Sequence, residues 1–264
     1  MRETVNLGEL SGLPIELEGL SIRFGDGLPA VAPSVRRLEE MREVLYNQTA
    51  RGPDELYYMY RGVFLPEHRE MAAAHRVRYD ITVIRPGKIG GEYVKTAGHY
   101  HPSAPGGEMA YPEVYEVLHG RAHYLLQRPE GDPASIADVI VVDAAPGDKV
   151  FIPPGYGHVT INPGEGPLVM TNCVASTFSS EYEQYRITRG AAYYEVESGN
   201  RGMFVPNDRY RLKPAPRLVK PVDAPALGLH AGVPLYRCFT SEPERFAFLE
   251  RPQDFAGLFA GLYG

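Results

Sequence analysis

From residue 54 to about residue 160, aromatic and β-branched residues gather in short runs broken by Gly and Pro. DELYYMYRGVFL, VRYDITVIRP and EYVKTAGHYH read as strands. YPEVYEVLHGRAHYLLQ reads as a hairpin turning near His119 and Gly120. ADVIVVDAAPGDKVFIPPGYGHVTIN adds two short strands around Pro-Gly turns, and LVMTNCVAS and AAYYEVES each add another. About six to ten short strands with turns this frequent predict a closed barrel or a jelly roll rather than an open sheet. Residues 1–33 read as irregular or extended, with Pro14, Gly25, Gly27, Pro29 and Pro33. In SVRRLEEMREVLYN, Val35, Leu38, Met41 and Leu45 recur at helical spacing, which predicts an amphipathic helix near 34–46 capped by Ser34. The last sixty or so residues change texture: Pro-rich KPAPRLVKPVDAPALG precedes SEPERFAFLERPQDFAGLFAGLYG. There Ser241 and Glu244 form a capping-box pattern with Pro243 in the first turn, predicting a C-terminal arm of short helices. The expected division is an N-terminal extension over 1–53, a mainly β barrel over 54–198 and the arm over 199–264.

Composition narrows the partners. The chain has 264 residues, 44% of them hydrophobic, enough for one real core. Net charge is −6 and no Lys/Arg block runs through it, which argues against nucleic acid. A phosphorylated substrate would need positive potential supplied locally against that balance. Cys173 and Cys238 form no C-x-x-C pair and no disulfide framework, so reduced thiols in a cytoplasmic protein are expected. MRETVNLGEL has no apolar stretch of a signal peptide, and no apolar run approaches a membrane span.

Chemistry concentrates in three places. His99 and His101 are two residues apart, a spacing that aims two imidazoles at one point in a strand. Glu113 precedes Gly120 by seven residues in PEVYEVLHG. His158 sits in G-x5-P-x-G-x2-H-x3-N, filled by Gly147, Pro153, Gly155, His158 and Asn162. These segments resemble the paired motifs of the cupin superfamily. The second matches fully. The first has Tyr93 where the leading glycine usually stands, and eleven residues, PSAPGGEMAYP, between His101 and Glu113. That loop holds a rival carboxylate, Glu108; Glu113 is preferred because it alone has Gly120 at the pattern's distance. Three imidazoles and a carboxylate suit Fe(II), Mn(II), Ni(II) or Zn(II) better than Ca(II) or a thiolate-bound metal. An octahedral ion so held keeps two positions for neighbouring substrate oxygens.

The resemblance narrows further. TVIRPGKIGGEYVKTAGHYH, YPEVYEVLHGRAHYLLQ and SVRRLEEM are similar to the cupin-type glucose-6-phosphate isomerases of archaea and some bacteria, over roughly residues 33–185. The resemblance implies His99, His101, Glu113 and His158 as metal ligands. It implies that Thr82, Thr96 and Gly98 hold the substrate phosphate, with Glu113, Tyr115 and Tyr182 at the reacting sugar. Lys95 and Lys88 lie close in sequence and are expected to add charge. Val174 and Ser180 stand where some members carry a site tyrosine and a site histidine. One divalent ion per subunit, iron(II) foremost, follows, as do a homodimer and a place in glycolysis and gluconeogenesis. The alternatives are a cupin dioxygenase or other oxidoreductase using the same ligands, and a non-catalytic sugar-binding cupin. The Thr96-x-Gly98 context argues against the first. Of the other histidines, His68 and His75 are expected in a solvated segment, His119 in a turn, His123 facing either the interior or solvent, and His230 on the surface. Strand alternation sets Glu116 on the face opposite Glu113.

Overall fold

The computed structural model describes residues 4–199, 201–221, 223–259 and 261–263. Its centre is a pair of facing sheets. The larger has six antiparallel strands in the order Lys149–Ile152, Glu113–His119, Leu168–Ala175, Val77–Ile84, Glu55–Tyr60, Ser34–Arg37. The smaller runs Gly157–Ile161, Ala122–Glu130, Asp132–Ala144, Arg217–Val219, the last pair parallel. The sheets stay separate ladders, which is the jelly-roll form of the expected fold. Among the described residues no helix is long and apolar enough to cross a membrane.

Strand alternation explains how the large sheet is buried on both faces. On Val77–Ile84, Tyr79, Ile81 and Val83 point one way and Arg78, Asp80, Thr82 and Ile84 the other. The first set packs with Val114, Leu118, Phe151, Val169 and Cys173 under the N-terminal strands and the C-terminal arm. The second faces the smaller sheet. Residues 199–264 first form the strands Arg201–Pro206 and Arg217–Val219, and only then an arm of short helical pieces, Pro225–Leu227, Leu235–Ser241, Pro243–Leu249, Pro252–Phe255 and Ala256–Phe259. Its Tyr236, Phe239, Phe246, Phe248 and Leu249 are fully buried against the sheet. Fully burying one such side chain stabilises by roughly 1.5–3 kcal/mol.

Two local expectations are corrected. Residues 34–46 are not one helix. Ser34–Arg37 is the edge strand of the large sheet, with Val35 opposite Tyr58, and only Leu38–Met41 and Arg42–Val44 are helical turns. Ser34 therefore caps nothing; the carboxylate of Glu40 accepts from the Arg37 N–H instead. Nor is there a hairpin at His119 and Gly120. The strands on either side belong to different sheets, so the chain crosses the sandwich there. Gly120 has φ +82°, and a Cβ on it would come within 2.7 Å of the Pro167 carbonyl. That crowding explains the glycine better than a two-residue hairpin does.

Candidate metal centre

Four segments bring the predicted ligands together. His99 and His101 lie on extended chain held by isolated bridges, His99 to His158 and Tyr100 to Glu181, rather than in a continuous strand. Gly98, at φ +77°, breaks the strand just before them; a Cβ there would sit 2.6–2.7 Å from Tyr185 and Val159 atoms. Glu113 opens the Glu113–His119 strand, and His158 lies in Gly157–Ile161 of the facing sheet. One ligand atom from each of the four residues falls within 4.8 Å of every other. His99 Nε2 faces His101 Nε2 at 3.1 Å, and Glu113 Oε2 lies 3.3 Å from the Nε2 atoms of both His101 and His158.

Hydrogen bonds orient these atoms. His101 Nδ1–H donates to the Tyr111 carbonyl at 2.9 Å, which leaves the His101 Nε2 lone pair facing the cluster. Asn172 Nδ2 donates to Glu113 Oε1 at 2.7 Å and aims the other carboxylate oxygen inward. The Tyr115 hydroxyl lies 3.1 Å from His158 Nε2. Glu113 Oε2 is buried with no hydrogen-bond partner among the described residues. Lone pairs crowded this way repel one another unless a cation sits between them, so the donor set fits a divalent ion.

The charge states agree. Burial, reinforced by the neighbouring imidazoles, holds His99 well below the ordinary imidazole pKa. Burial also lowers His158, against the pull of Glu113. At Glu113 burial pushes upward, but the His101 and His158 rings 3.3 Å away outweigh it and keep the carboxyl below the usual carboxylate range. The directions at His99 and His158 favour the neutral ring and that at Glu113 the ionised carboxylate, the ligand forms a metal requires.

The cluster opens on a cavity of about 370 Å³. Thr82, Thr96, Gly98, Tyr115 and Tyr182 line it, together with Val174 and Ser180. The Tyr182 ring is 5.4 Å from the His99 ring and is held from behind by the Arg36 guanidinium at 5.6 Å. Lys95 is a correction. Neighbours in extended chain point opposite ways, and Lys95 turns from the cavity into the core, where its ammonium pairs with Glu92 and donates to the Val44 carbonyl at 2.8 Å. Lys88 pairs with Glu197 outside the cavity. Glu108 is exposed in the loop, away from the imidazoles. His123 faces Glu195 at 2.8 Å in a separate cavity beyond the smaller sheet, and His68 Nδ1 meets the Tyr236 hydroxyl at 2.8 Å. His75 and His230 lie beside Glu244 and Glu242. Glu116 does turn from Glu113, but into the buried space under the arm, where it meets Lys149 at 2.9 Å and accepts from the Leu235 N–H at 2.7 Å.

A family model for glucose-6-phosphate isomerase (GPI) matches residues 35–211. The chain belongs to the glucose-6-phosphate isomerase family. Its enzymatic class is therefore aldose–ketose isomerase. Glucose-6-phosphate isomerase of Thermococcus gammatolerans is 30% identical over 198 residues, 73% of this chain and 95% of that relative. The enzyme of Pyrococcus abyssi is 28% identical over 199 residues, 73% of this chain and 96% of the relative. Among solved structures, oxalate decarboxylase from Bacillus subtilis overlays on 46% of this chain and 25% of its own at a TM-score of 0.32 and 17% identity, too low a likeness to bear on function. Isomerase membership decides against the dioxygenase and the non-catalytic alternatives.

Sequence reading missed several cavity residues: Arg61, Arg78, Asp80, Asn172 and Phe178. A signal for two of them was present. In VRYDITVI the polar residues alternate strictly with apolar ones, so Arg78 and Asp80 share a face with Thr82.

Proposed function

We propose that this isomerase interconverts glucose 6-phosphate and fructose 6-phosphate with the help of one divalent ion held by His99, His101, Glu113 and His158. The observation that carries the reading is the convergence of three imidazoles and one carboxylate on a cavity lined by hydroxyls. Iron(II) is the proposed ion, with Mn(II), Ni(II) and Zn(II) fitting the same donors. When bound, such an ion supplies a Lewis acid that polarises the open-chain carbonyl and makes the adjacent C–H more acidic. The rest falls to the chain. Glu113 lines the cavity and is the proposed base that carries the proton between C2 and C1. Tyr115 and Tyr182 border the sugar, placed to donate to its oxygens. Thr82, Thr96 and Gly98 offer hydroxyl and N–H donors to the phosphate. Thr96 Oγ1 already accepts from the Thr160 N–H at 3.0 Å, which leaves its own O–H free to donate. A homodimer in the cytoplasm, serving glycolysis and gluconeogenesis, is the setting the family resemblance implies.

A coupled assay for glucose 6-phosphate formed from fructose 6-phosphate, before and after chelation, tests the reading. Activity should vanish with chelator and return with added Fe(II) or Mn(II); full activity in the chelated protein would overturn the metal assignment. Glucose 6-phosphate deuterated at C2, followed in the direction of fructose 6-phosphate, separates two routes. Loss to solvent supports the Glu113 base, whereas complete retention would indicate a hydride shift.

A further inference from the structure

With Lys95 turned into the core, the substrate phosphate lacks a cationic partner from the sequence expectations. The cavity wall supplies one elsewhere. Val174 pairs with Arg78 on one side and Glu113 on the other, so the three residues share one rung of the large sheet. Adjacent strands lie roughly 4.8 Å apart, which puts Arg78 about 10 Å from Glu113 along the backbone. The short Val174 between them leaves the wall open for the arginine. Asp80, on the same face, is buried at 4% exposure and is the hub of a charged group. Its two oxygens accept from Arg78 Nε at 3.0 and 2.8 Å, Oδ1 also accepts from the Gly62 N–H at 2.9 Å, and Oδ2 lies 3.6 Å from Arg61 Nη1. One carboxylate between two guanidinium groups leaves a net positive charge. Among the described residues the Arg78 Nη groups have no acceptor, and Arg61 otherwise touches only the Met59 sulfur at 3.5 Å. Both side chains reach the cavity while staying 30–44% exposed, as rim groups meeting an incoming anion would be. Thr82 follows Asp80 on the same face, and Ser179 and Ser180 also line the cavity.

We propose that Arg61 and Arg78, braced by Asp80, recognise the phosphate dianion of the substrate and make this isomerase select sugar phosphates over free sugars. The proposal rests on the sugar-phosphate reading of the cavity and names the residues that enforce it. A guanidinium fork matches phosphate oxygens two at a time, and its hydrogen bonds to an ion are stronger than those between neutral groups. Asp80 acts through the arginines and is a positioning residue.

Steady-state kinetics of the metal-loaded protein on fructose 6-phosphate test it, with R61A, R78A, R61A/R78A, D80N, R78K and the exposed-surface control R69A. Each alanine variant should raise KM about tenfold or more, and the double variant further still, with a smaller change in kcat. D80N should follow the same KM pattern, R78K should recover part of the loss, and R69A should match wild type. Turnover of free fructose, where measurable, should not change. Chelator competition shows whether each variant still folds around its metal. A second measurement is independent of turnover: inorganic phosphate, titrated by calorimetry, should bind the wild type and bind R61A/R78A at least tenfold more weakly. If the wild type binds phosphate through the pair but does not isomerise fructose 6-phosphate, the proposed function fails and the anion site stands. Unchanged KM and unchanged phosphate affinity in R61A/R78A would overturn the proposal, as would a loss confined to kcat.

Discussion

Asn172 touches no predicted ligand ring, yet its amide fixes which Glu113 oxygen points at the imidazoles. Replacing it with leucine leaves that oxygen free to turn, and metal affinity should fall by about 10–100-fold, as for other groups that orient a ligand. Competition with a chromophoric chelator measures this. His158→Ala removes a ligand outright and should abolish both metal retention and isomerisation. Wild-type turnover in that variant would remove His158 from the ligand set. The lowered imidazoles bear on pH as well. Burial and the neighbouring imidazoles hold His99 well below the ordinary imidazole value, which favours the neutral form that binds metal. Calorimetry at pH 6 in buffers of differing ionisation enthalpy should therefore show fewer protons released per metal bound than a site built of unshifted histidines would release.

The C-terminal arm covers one face of the sheet whose other face lines the cavity, and two of its contacts give opposite kinds of test. Phe248 is fully buried against Phe151 and Phe246. Phe248→Ala should cost about 3–5 kcal/mol in urea unfolding, because the arm cannot close on the void. Glu116 is a titrating contact: burial raises its carboxyl to about 7, against the opposing charge of Lys149. A folded-state value above the unfolded one means that this group's contribution is complete below about pH 4.5 and declines as pH climbs through 7. Glu116→Gln should erase that slope, seen as a melting temperature that changes less than the wild type's between pH 5 and pH 8. Elements of this kind were legible only in part. Pro243 opens the Pro243–Leu249 piece as its local preference implies, but the expected Ser241 cap does not form: Ser241 ends the helix before it. The strand at Ser34–Arg37 was not legible: Val35, Leu38, Met41 and Leu45 fit a helical spacing, and pairing with Tyr58 on a distant strand overrides it. The crossing at Gly120 was hidden for the same reason, since nothing in a local turn says which sheet receives the next strand.

Across the whole molecule, what was readable is what depends on spacing within one short segment. His99, His101 and His158 could be named from local spacing, and Glu113 from Gly120 seven residues on, although the loop between His101 and Glu113 is longer than the pattern's. Lys95 was misplaced although alternation with Thr96 already sets it on the other face. Arg61 and Arg78 were passed over because charge on a strand normally signals solvent, and only the facing sheet turns that face into a cavity. Metal loading should act on the entire fold, since an ion bound only by the folded state stabilises it by mass action. At a free concentration near one hundred times its Kd it should add about 2.7 kcal/mol, reversed by chelator. The Val77–Ile84 strand has one more consequence. Its odd-numbered residues seal the arm and its even-numbered residues furnish the pocket, so a single residue inserted between Tyr79 and Asp80 would swap the two sets over part of its length. The Tyr79 ring would then crowd the sugar and Arg78 would be driven beneath the arm. Tolerance to such an insertion should be lower here than in any exposed loop, with solubility and turnover disappearing together.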